Sequence, residues 1–414
     1  MHVSRPVGTD GSLSQLFDER HREYRAALRS VTEQWADEAP AWEADGHLPR
    51  EVFRQLGSVD CFGKRWEHGR LGGLPHALVV AEEMALVSGG LGVAVTLHSE
   101  VFIGLLKRLA RSPWQREVLE QALEGTAIGC FASTERRGGS DIAGAQVTAT
   151  REEDGWRLTG EKCYTSNAGR ATHAVMLVRA DGLPPGSDLC IFLVPLENDG
   201  VEVVGFYPKA GIHSCDAAHI AIDTALPSDA LLGSAGAGLL YANMALQLER
   251  ISVSAQAVTA ARASIGLAVA HARQRMTPEG PLIKMQAIRH RLADVVTQVA
   301  SAEALLYAVV SGAMAGRTVA TETAALKLLC PHIASHAVDE CLQILGARGY
   351  TSNYPLERYW RDLRVARMGA GTDEVMREIV SSSLDRPIPY YEQWLAEIQA
   401  NDVPVPEPVP EAVP

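Results

Sequence analysis

Several features are absent from this chain of 414 residues, and each absence disfavours a class of protein. Its seven cysteines include no Cys-x-x-Cys pair and no histidine spacing that suits zinc, so we expect reduced core thiols and no metal site. Positive charge is in deficit, because 38 Lys and Arg stand against 50 Asp and Glu, for a net charge of −12. No segment carries a dominant Lys/Arg cluster, so nucleic acid is not an expected partner.

A leader peptide and a membrane segment are not indicated either. Residues 1–14 contain no basic stretch followed by an apolar one. No window approaches the roughly 18 apolar residues that are needed to span a bilayer. We therefore expect a cytoplasmic protein that does not enter a membrane. Hydrophobic residues make up 47% of the chain, which is enough for one large core or for two or three connected cores.

The spacing of the apolar residues divides the chain into three blocks. From residue 13 to 125 they recur every three or four positions, which predicts an all-helical domain. From 126 to 235 they alternate with polar residues, and Asp154-Gly155 is a hairpin signal, so this block is predicted to hold short, mostly antiparallel strands. From 236 to 386 helical spacing returns in segments long enough for a helix bundle.

Residues 387–414 are predicted to form a proline-rich tail. Every second residue from 404 to 410 is proline, which removes the backbone donors that a helix or a sheet needs. An extended or disordered tail is therefore favoured. A polyproline II ligand for a partner domain is the alternative.

Five short motifs follow one another along the chain. They occupy residues 131–141, 160–167, 248–250, 343–350 and 369–374. In residue types, order and spacing they resemble the flavin- and acyl-binding motifs of the acyl-CoA dehydrogenases, and the resemblance extends from about residue 16 to 384. It implies the α+β acyl-CoA dehydrogenase fold, with an N-terminal helical domain, a central β-barrel-like domain and a C-terminal four-helix bundle. It also implies noncovalently bound FAD and a homodimer or homotetramer.

The candidate catalytic base lies in the third motif. Dehydrogenation of an acyl thioester needs a base across the substrate from the flavin, and a desolvated carboxylate gains basicity there. Most of the family has a glutamate just before the Gly-Thr pair of the last motif, but this chain has Ala370. A branch that includes isovaleryl-CoA dehydrogenase carries the glutamate in a Leu-Glu-Arg run, so the resemblance implies that Glu249 is the base. A solvated pair of Glu249 and Arg250 is the alternative.

The resemblance also implies roles for the neighbours of the base. Arg250 would limit the rise of the Glu249 pKa. The backbone N–H of Ala370 would polarise the thioester carbonyl. The residues implied for substrate binding are Ser140, Tyr241, Met244 and Arg250, and for Tyr241 and Met244 core packing is the alternative.

Hydroxyl groups in the first two motifs are candidate flavin ligands. A flavin ring needs neutral hydrogen-bond donors, which Thr134 and Ser166 carry, and Ser140 follows two glycines that allow close approach to a pyrophosphate. A plain turn at 138–141 is the alternative. Tyr164 is expected to stack on the flavin, with a core tyrosine as its alternative. The FAD set implied by the resemblance is Phe131, Ser133, Thr134, Gly139, Ser140, Tyr164, Ser166, Arg275, Gln286, Gln343, Gly346, Thr372 and Glu374.

Thr372 also suits the N-cap of a helix that has Glu374 in its first turn, so capping alone explains that motif equally well.

Part of this set is implied to act between subunits. The residues that match family positions reaching the FAD of a neighbouring subunit are Arg275, Gln286, Gln343 and Gly346.

The activity that the resemblance implies is α,β-dehydrogenation of a short or branched acyl thioester. The acyl group would be carried by CoA or by a carrier protein, and the electrons would pass to an electron-transfer flavoprotein. Two alternatives stay open. Loss of the usual glutamate also suits an oxygen-using flavin monooxygenase, either an N-hydroxylase or a decarboxylating enzyme. A catalytically inactive flavoprotein with a binding role is the other.

Overall fold

The computed structural model describes residues 16–67, 73–385, 387 and 389–400. Helices, then strands, then helices follow one another in the order that the apolar spacing predicts. The predicted α+β fold is confirmed. Buried side chains from all three parts form one continuous hydrophobic core.

The N-terminal domain consists of helices. Helix α1 begins after Asp18, whose side chain accepts a hydrogen bond from the His21 N–H, and it ends at Gly46, which adopts a left-handed φ of 77°. A π-helical stretch, Leu97–Ile103, joins α5 to α6. The helices are α1 (Glu19–Asp45), α2 (Glu51–Ser58), α3 (Cys61–Trp66), α4 (Leu74–Val87), α5 (Gly89–Thr96), α6 (Gly104–Leu109) and α7 (Pro113–Leu123).

The middle domain is one mostly antiparallel sheet. Its described strands are β1 (Gly129–Ala132), β2 (Thr148–Arg151), β3 (Gly155–Ser166), β4 (His173–Ala180), β5 (Leu189–Pro195), β6 (Val201–Phe206), β7 (Ala217–Pro227) and β8 (Leu231–Leu232). They lie in the order β6-β7-β3-β2-β4-β5-β8, and β1 pairs with β4. The pairings of β4 with β1 and with β2 are parallel. The ends of β1 and β3 both reach the cleft described below.

The C-terminal domain is a bundle around α8, α9, α10 and α12. Helix α8 is buried along most of its middle, largely through alanines, and α10 packs along it. A small hairpin of β9 (Met276–Thr277) and β10 (Gly280–Pro281) joins α8 to α9. The helices are α8 (Gly238–Gln274), α9 (Gln286–Met314), α10 (Ala320–Leu345), α11 (Leu356–Asp362), α12 (Asp373–Ser381) and α13 (Pro389–Ala400).

Three helical stretches have a composition that the sequence analysis did not expect. The expectation that no segment is apolar enough to span a bilayer is wrong for Gly89–Leu109, α8 and α9. Their 18-residue windows have mean hydropathies of 1.5, 1.3 and 1.4. These windows are 89%, 67% and 50% buried inside the fold. A helix that is apolar on all sides fits a protein core as well as a membrane, and core packing accounts for much of this composition.

Helix α13 lies in the segment for which the sequence predicts a tail. Its residues 389–400 are helical rather than extended. The proline-rich residues 403–410 lie outside the described residues. All seven cysteines are buried and unpaired, as predicted.

Candidate functional site

A cleft with a cavity volume of about 530 Å³ lies where the three domains meet. Helices α4 and α5 contribute one wall, the ends of β1 and β3 another, and α8 with the segment 359–379 the rest. Eleven of the predicted site residues line it, drawn from four of the five motifs. They are Phe131, Ser133, Thr134, Gly139, Ser140, Tyr164, Ser166, Glu249, Arg250, Ala370 and Thr372.

The middle domain presents hydroxyl groups to the cleft. Ser133 and Thr134 directly follow β1, Ser140 lies in the loop beyond them, and Ser166 ends β3. Within the described residues, none of these four hydroxyls makes a hydrogen bond to another protein group. Polar groups that line a cavity without a partner are available to a ligand. This wall therefore fits a flavin, whose ring edge and phosphates need such donors.

A buried ion pair, which the sequence analysis passed over, supports this wall. Lys162 is fully buried, and its Nζ lies 2.7 Å from Glu135 Oε1 and 2.5 Å from the Leu177 carbonyl oxygen, to which it donates. Glu135 also accepts hydrogen bonds from the N–H groups of Gln146 and Val147. It thereby joins both ends of the loop that carries Ser140. The sequence did contain a signal for this ion pair, because Glu135 lies inside the motif 131–141 and Lys162 inside the motif 160–167.

Tyr164 projects from an irregularity in the sheet. The register between β3 and β7 shifts between Lys162 and Thr165, and Tyr164 adopts a left-handed φ of 52°. Its ring stacks on Tyr207 with centroids 4.1 Å apart and remains 60% exposed. A core role for Tyr164 is therefore wrong. Tyr207 covers one face of the Tyr164 ring, and the other face is open to the cleft or to solvent.

Glu249 lies on α8 and is 8% exposed, with its carboxyl on the cleft. The alternative of a solvated pair is therefore wrong. Burial raises the pKa of Glu249 to about 7, although the positive charges of Arg250 and Lys327 act in the opposite direction. A carboxylate that changes charge near neutral pH suits general base catalysis.

The turn that carries Ala370 is held by two buried cations. Arg250 Nε donates to the Ala370 carbonyl oxygen at 2.9 Å, and Lys327 Nζ donates to the Gly371 carbonyl oxygen. Ala370 has a left-handed φ of 55°. Thr372 caps α12, because its side chain accepts a hydrogen bond from the Val375 N–H, as predicted. Lys327 was not a predicted site residue.

Two predicted substrate residues do not line the cleft. The Tyr241 hydroxyl instead accepts a hydrogen bond from the Ser234 N–H at 3.2 Å, and Met244 is not among the residues that line the cavity. The α8 residues that do line the cleft before Glu249 are Leu239, Asn243 and Leu246. Local periodicity does not show which face of a helix borders a cavity, so the sequence could not select the α8 residues that line the cleft.

Gln256 lines the cleft farther along α8 than Glu249. It follows Glu249 by seven residues on α8, about 10.5 Å along the helix axis. Its Nε2 donates to the Gly92 carbonyl oxygen at 3.0 Å and to Thr96 Oγ1 at 2.7 Å. The amide thus links α8 to α5 across an otherwise apolar wall. Sequence reasoning missed it because a lone helical glutamine carries no signal.

The residues implied to act between subunits lie far from the cleft of their own chain. Arg275 follows Glu249 by 26 residues, about 39 Å along the helix axis. Gln286 begins α9, and Gln343 and Gly346 stand at the end of α10, so none of them lines this cleft. Glu374 is exposed on α12 and does not line it either.

Family models match all three domains. The models described as acyl-CoA dehydrogenase N-terminal, middle and C-terminal domain match residues 18–126, 130–225 and 236–384. The three segments follow one another without overlap and leave α13 outside the match.

Individual relatives cover most of the chain. It is 33% identical over 377 residues to acyl-[acyl-carrier-protein] dehydrogenase MbtN from Mycobacterium sp. (strain MCS), covering 88% of this chain and 95% of that protein. It is 30% identical over 309 residues to the mitochondrial short-chain specific acyl-CoA dehydrogenase of Homo sapiens, covering 74% and 75%. The structure of butyryl-CoA dehydrogenase from Megasphaera elsdenii aligns with a TM-score of 0.84 at 25% identity, covering 89% of this chain and 99% of that one.

Proposed function

This chain belongs to the acyl-CoA dehydrogenase family, and from that premise we propose that it dehydrogenates a short or branched acyl thioester between its α and β carbons. Family membership makes it an FAD-dependent oxidoreductase. The observation that carries the proposal is the buried carboxylate of Glu249, which lines the same cleft as the free hydroxyls of the middle domain. A base and a flavin wall on opposite domains are what this reaction requires.

The reaction removes two hydrogens and forms one double bond. Bound FAD would supply the acceptor for the β-hydrogen and its electron pair. Glu249 takes the α-proton on a carboxylate oxygen, so the second electron pair becomes the new carbon–carbon bond. Ala370 lies on the cleft, and within the described residues its N–H has no hydrogen-bond partner. That N–H donates to the thioester oxygen, where negative charge develops as the proton leaves.

Product analysis tests the reaction itself. The FAD-loaded protein is incubated with a saturated short acyl thioester and a one-electron or two-electron acceptor, and the thioester is examined by mass spectrometry and proton NMR. Loss of two hydrogens with vinylic α and β signals is expected. A product that has gained oxygen or lost its carboxyl carbon would instead support an oxygen-using enzyme.

The rate of thioester-driven FAD reduction is expected to depend on pH around neutrality. Glu249 accepts a proton only in its ionised form, and the raised pKa of about 7 places that form in the minority at lower pH. The rate should therefore fall about tenfold for each pH unit below 7 and level off above it. Stopped-flow absorbance measures this under anaerobic conditions. A rate that does not change from about pH 6 to pH 8 would contradict the assignment.

Gln256 supports a short acyl group as the substrate. An acyl chain that extends from Glu249 along α8 meets this amide and its hydrogen bonds to α5 within two helical turns. Displacing the amide would leave buried polar groups without partners, which is unfavourable. A short or branched chain ends before that point.

Replacing Gln256 with alanine is expected to lengthen the preferred acyl chain. Each additional methylene that becomes buried contributes about 0.8 kcal/mol, so kcat/KM should rise about fourfold per added carbon until the enlarged pocket is filled. A series of straight-chain thioesters measures this preference. Gln247→Ala, on the same helix but off the cleft, is the control and should leave the preference unchanged. An unchanged preference in Gln256→Ala would remove Gln256 from the pocket floor.

The carrier of the acyl group and the electron acceptor complete the proposal. The similarity to a protein named for acyl-carrier-protein dehydrogenation and to one named for acyl-CoA supports either thioester. We place the protein in the cytoplasm, as a homodimer or homotetramer that passes electrons to an electron-transfer flavoprotein. The remote position of Arg275 supports an assembly in which one chain completes the FAD site of another. Comparing the same acyl group on CoA and on a carrier protein decides between the two substrates.

A further inference from the structure

We propose that Lys327 is a positioning residue of this site, which together with Arg250 fixes the turn 370–372 beside Glu249 and places a second positive charge behind that turn. The inference rests on the proposed role of Glu249 as the base. Lys327 is fully buried on α10, and it is separated from the turn by more than 40 residues in sequence. A buried lysine needs partners that offset the cost of removing its charge from water.

The first partner is the backbone of the turn. Arg250 donates a hydrogen bond to the carbonyl oxygen of Ala370, and Lys327 donates one to the carbonyl oxygen of Gly371. Two consecutive peptides are thus fixed by cations from two helices, α8 and α10. Because the N–H of a trans peptide points opposite to its C=O, the N–H groups of Gly371 and Thr372 point away from both cations.

The turn needs such support because its backbone is strained. Ala370 and Gly371 have φ values of 55° and 102°. The left-handed region costs a residue with a Cβ atom about 1 kcal/mol or more, so Ala370 stays there only if its surroundings hold it. At Gly371 it is this φ that favours glycine, because the atom nearest to an added Cβ, Met376 Cε at 2.8 Å, is the movable end of a flexible side chain. The two cation bonds supply the restraint.

The second partner is the charge of Glu249. Lys327 and Arg250 are the positive charges that lower the pKa of Glu249 against the effect of burial. Burial in turn lowers the pKa of Lys327 to about 8, while the charges of Asp373 and Glu249 act to raise it. The charge of Glu374 on α12 acts in the same direction as those of Asp373 and Glu249.

Asp373 is itself held by other groups. Its Oδ2 accepts hydrogen bonds from Arg367 Nε and His332 Nε2, each at 2.8 Å. Its charge is therefore shared with two residues outside the cleft. Among the described residues, by contrast, the Glu249 carboxylate accepts no hydrogen bond from another residue. Removing the Lys327 charge should therefore act mainly on Glu249.

The test uses neutral and charged replacements of Lys327 in the full chain. Lys327→Met and Lys327→Gln remove the charge, Lys327→Arg keeps it, and Lys107→Met on the exposed surface of α6 is the matched control. Two properties are measured: the pH titration of the Glu249 carboxyl by infrared spectroscopy, assigned with Glu249→Gln, and the dissociation constant for FAD. Neither measurement requires turnover, so the result stands apart from whether a thioester is oxidised.

We expect both neutral variants to move the Glu249 titration upwards by about one pH unit, since a lost opposite charge at short range has at least this effect. In Lys327→Met the loosened turn should also weaken FAD binding about tenfold, the loss expected for one charged hydrogen bond. Lys327→Arg and Lys107→Met should titrate as the wild type does. A folded neutral variant with an unchanged titration and unchanged FAD binding would overturn the proposal. If neither neutral variant folds, a shifted titration in Lys327→Arg would overturn it instead.

Discussion

Substituting glutamine for Glu249 is expected to slow thioester-driven reduction of the bound FAD by about 10²- to 10⁴-fold, the usual contribution of a positioned general base. The amide has nearly the same shape as the carboxyl but cannot accept the α-proton. The lost charge has two opposing effects on stability, because a buried carboxylate no longer has to be held but Lys327 and Arg250 lose a partner charge, so stability is measured beside the rate. FAD should still bind.

Stopped-flow absorbance of the flavin under anaerobic conditions measures the effect. Glu322→Gln, an exposed glutamate on α10, is the matched control and should leave the rate unchanged. Thermal unfolding and FAD fluorescence establish that the variant is folded and loaded. Reduction of Glu249→Gln at the wild-type rate would assign the base to another residue.

Breaking the buried ion pair between Lys162 and Glu135 is expected to lower the free energy of unfolding by about 3–5 kcal/mol, since the remaining charge is left buried without its partner. Lys162→Met leaves the Glu135 carboxylate with two backbone N–H donors but no counter-ion. Because Glu135 ties the loop of Ser140 to β2, FAD affinity should fall as well. Urea denaturation of the apoprotein measures the stability term without the contribution of bound FAD.

Two further variants separate burial from charge. The double variant Glu135→Gln/Lys162→Met keeps an acceptor for both N–H groups and has no unpaired charge, so it should recover part of the lost stability. Arg157 lies on β3, as Lys162 does, and forms an exposed ion pair with Asp223 on β7, so Arg157→Met should cost less than about 1 kcal/mol. If Lys162→Met and Arg157→Met lower the free energy of unfolding by equal amounts, the buried ion pair contributes no more to stability than an exposed one, which would contradict the prediction.

The domain types were predictable because they depend on local spacing. Runs of period 3.6 and period 2 determine helix and strand over tens of residues, and the structure follows them. The expectation that no window is apolar enough to span a bilayer failed on composition itself, which the sequence already contains; what the sequence does not show is that α4, α9 and α10 cover the apolar α8. That information exists only in the packed molecule.

Parts of the site were predictable for a different reason. The residues of the first two motifs and Glu249 were found through family resemblance, and the cleft brings them together. Tyr241 was misplaced because one helical step decides which face meets the cavity. Lys327 was missed because its contact with Gly371 joins residues 44 positions apart, and neither one carries a local signal. Long-range polar contacts of this kind depend on the packing of α10 against α8.

Anaerobic titration of the FAD-loaded wild-type protein with a short acyl thioester tests the central claim most directly. The flavin absorbance should be lost in proportion to thioester added, with one enoyl product formed per flavin, and without any need for oxygen. Presenting the same acyl group on CoA and on a carrier protein identifies the carrier. If the flavin keeps its colour with every thioester and loses it only with another reductant, the claim that this cleft dehydrogenates acyl thioesters is contradicted.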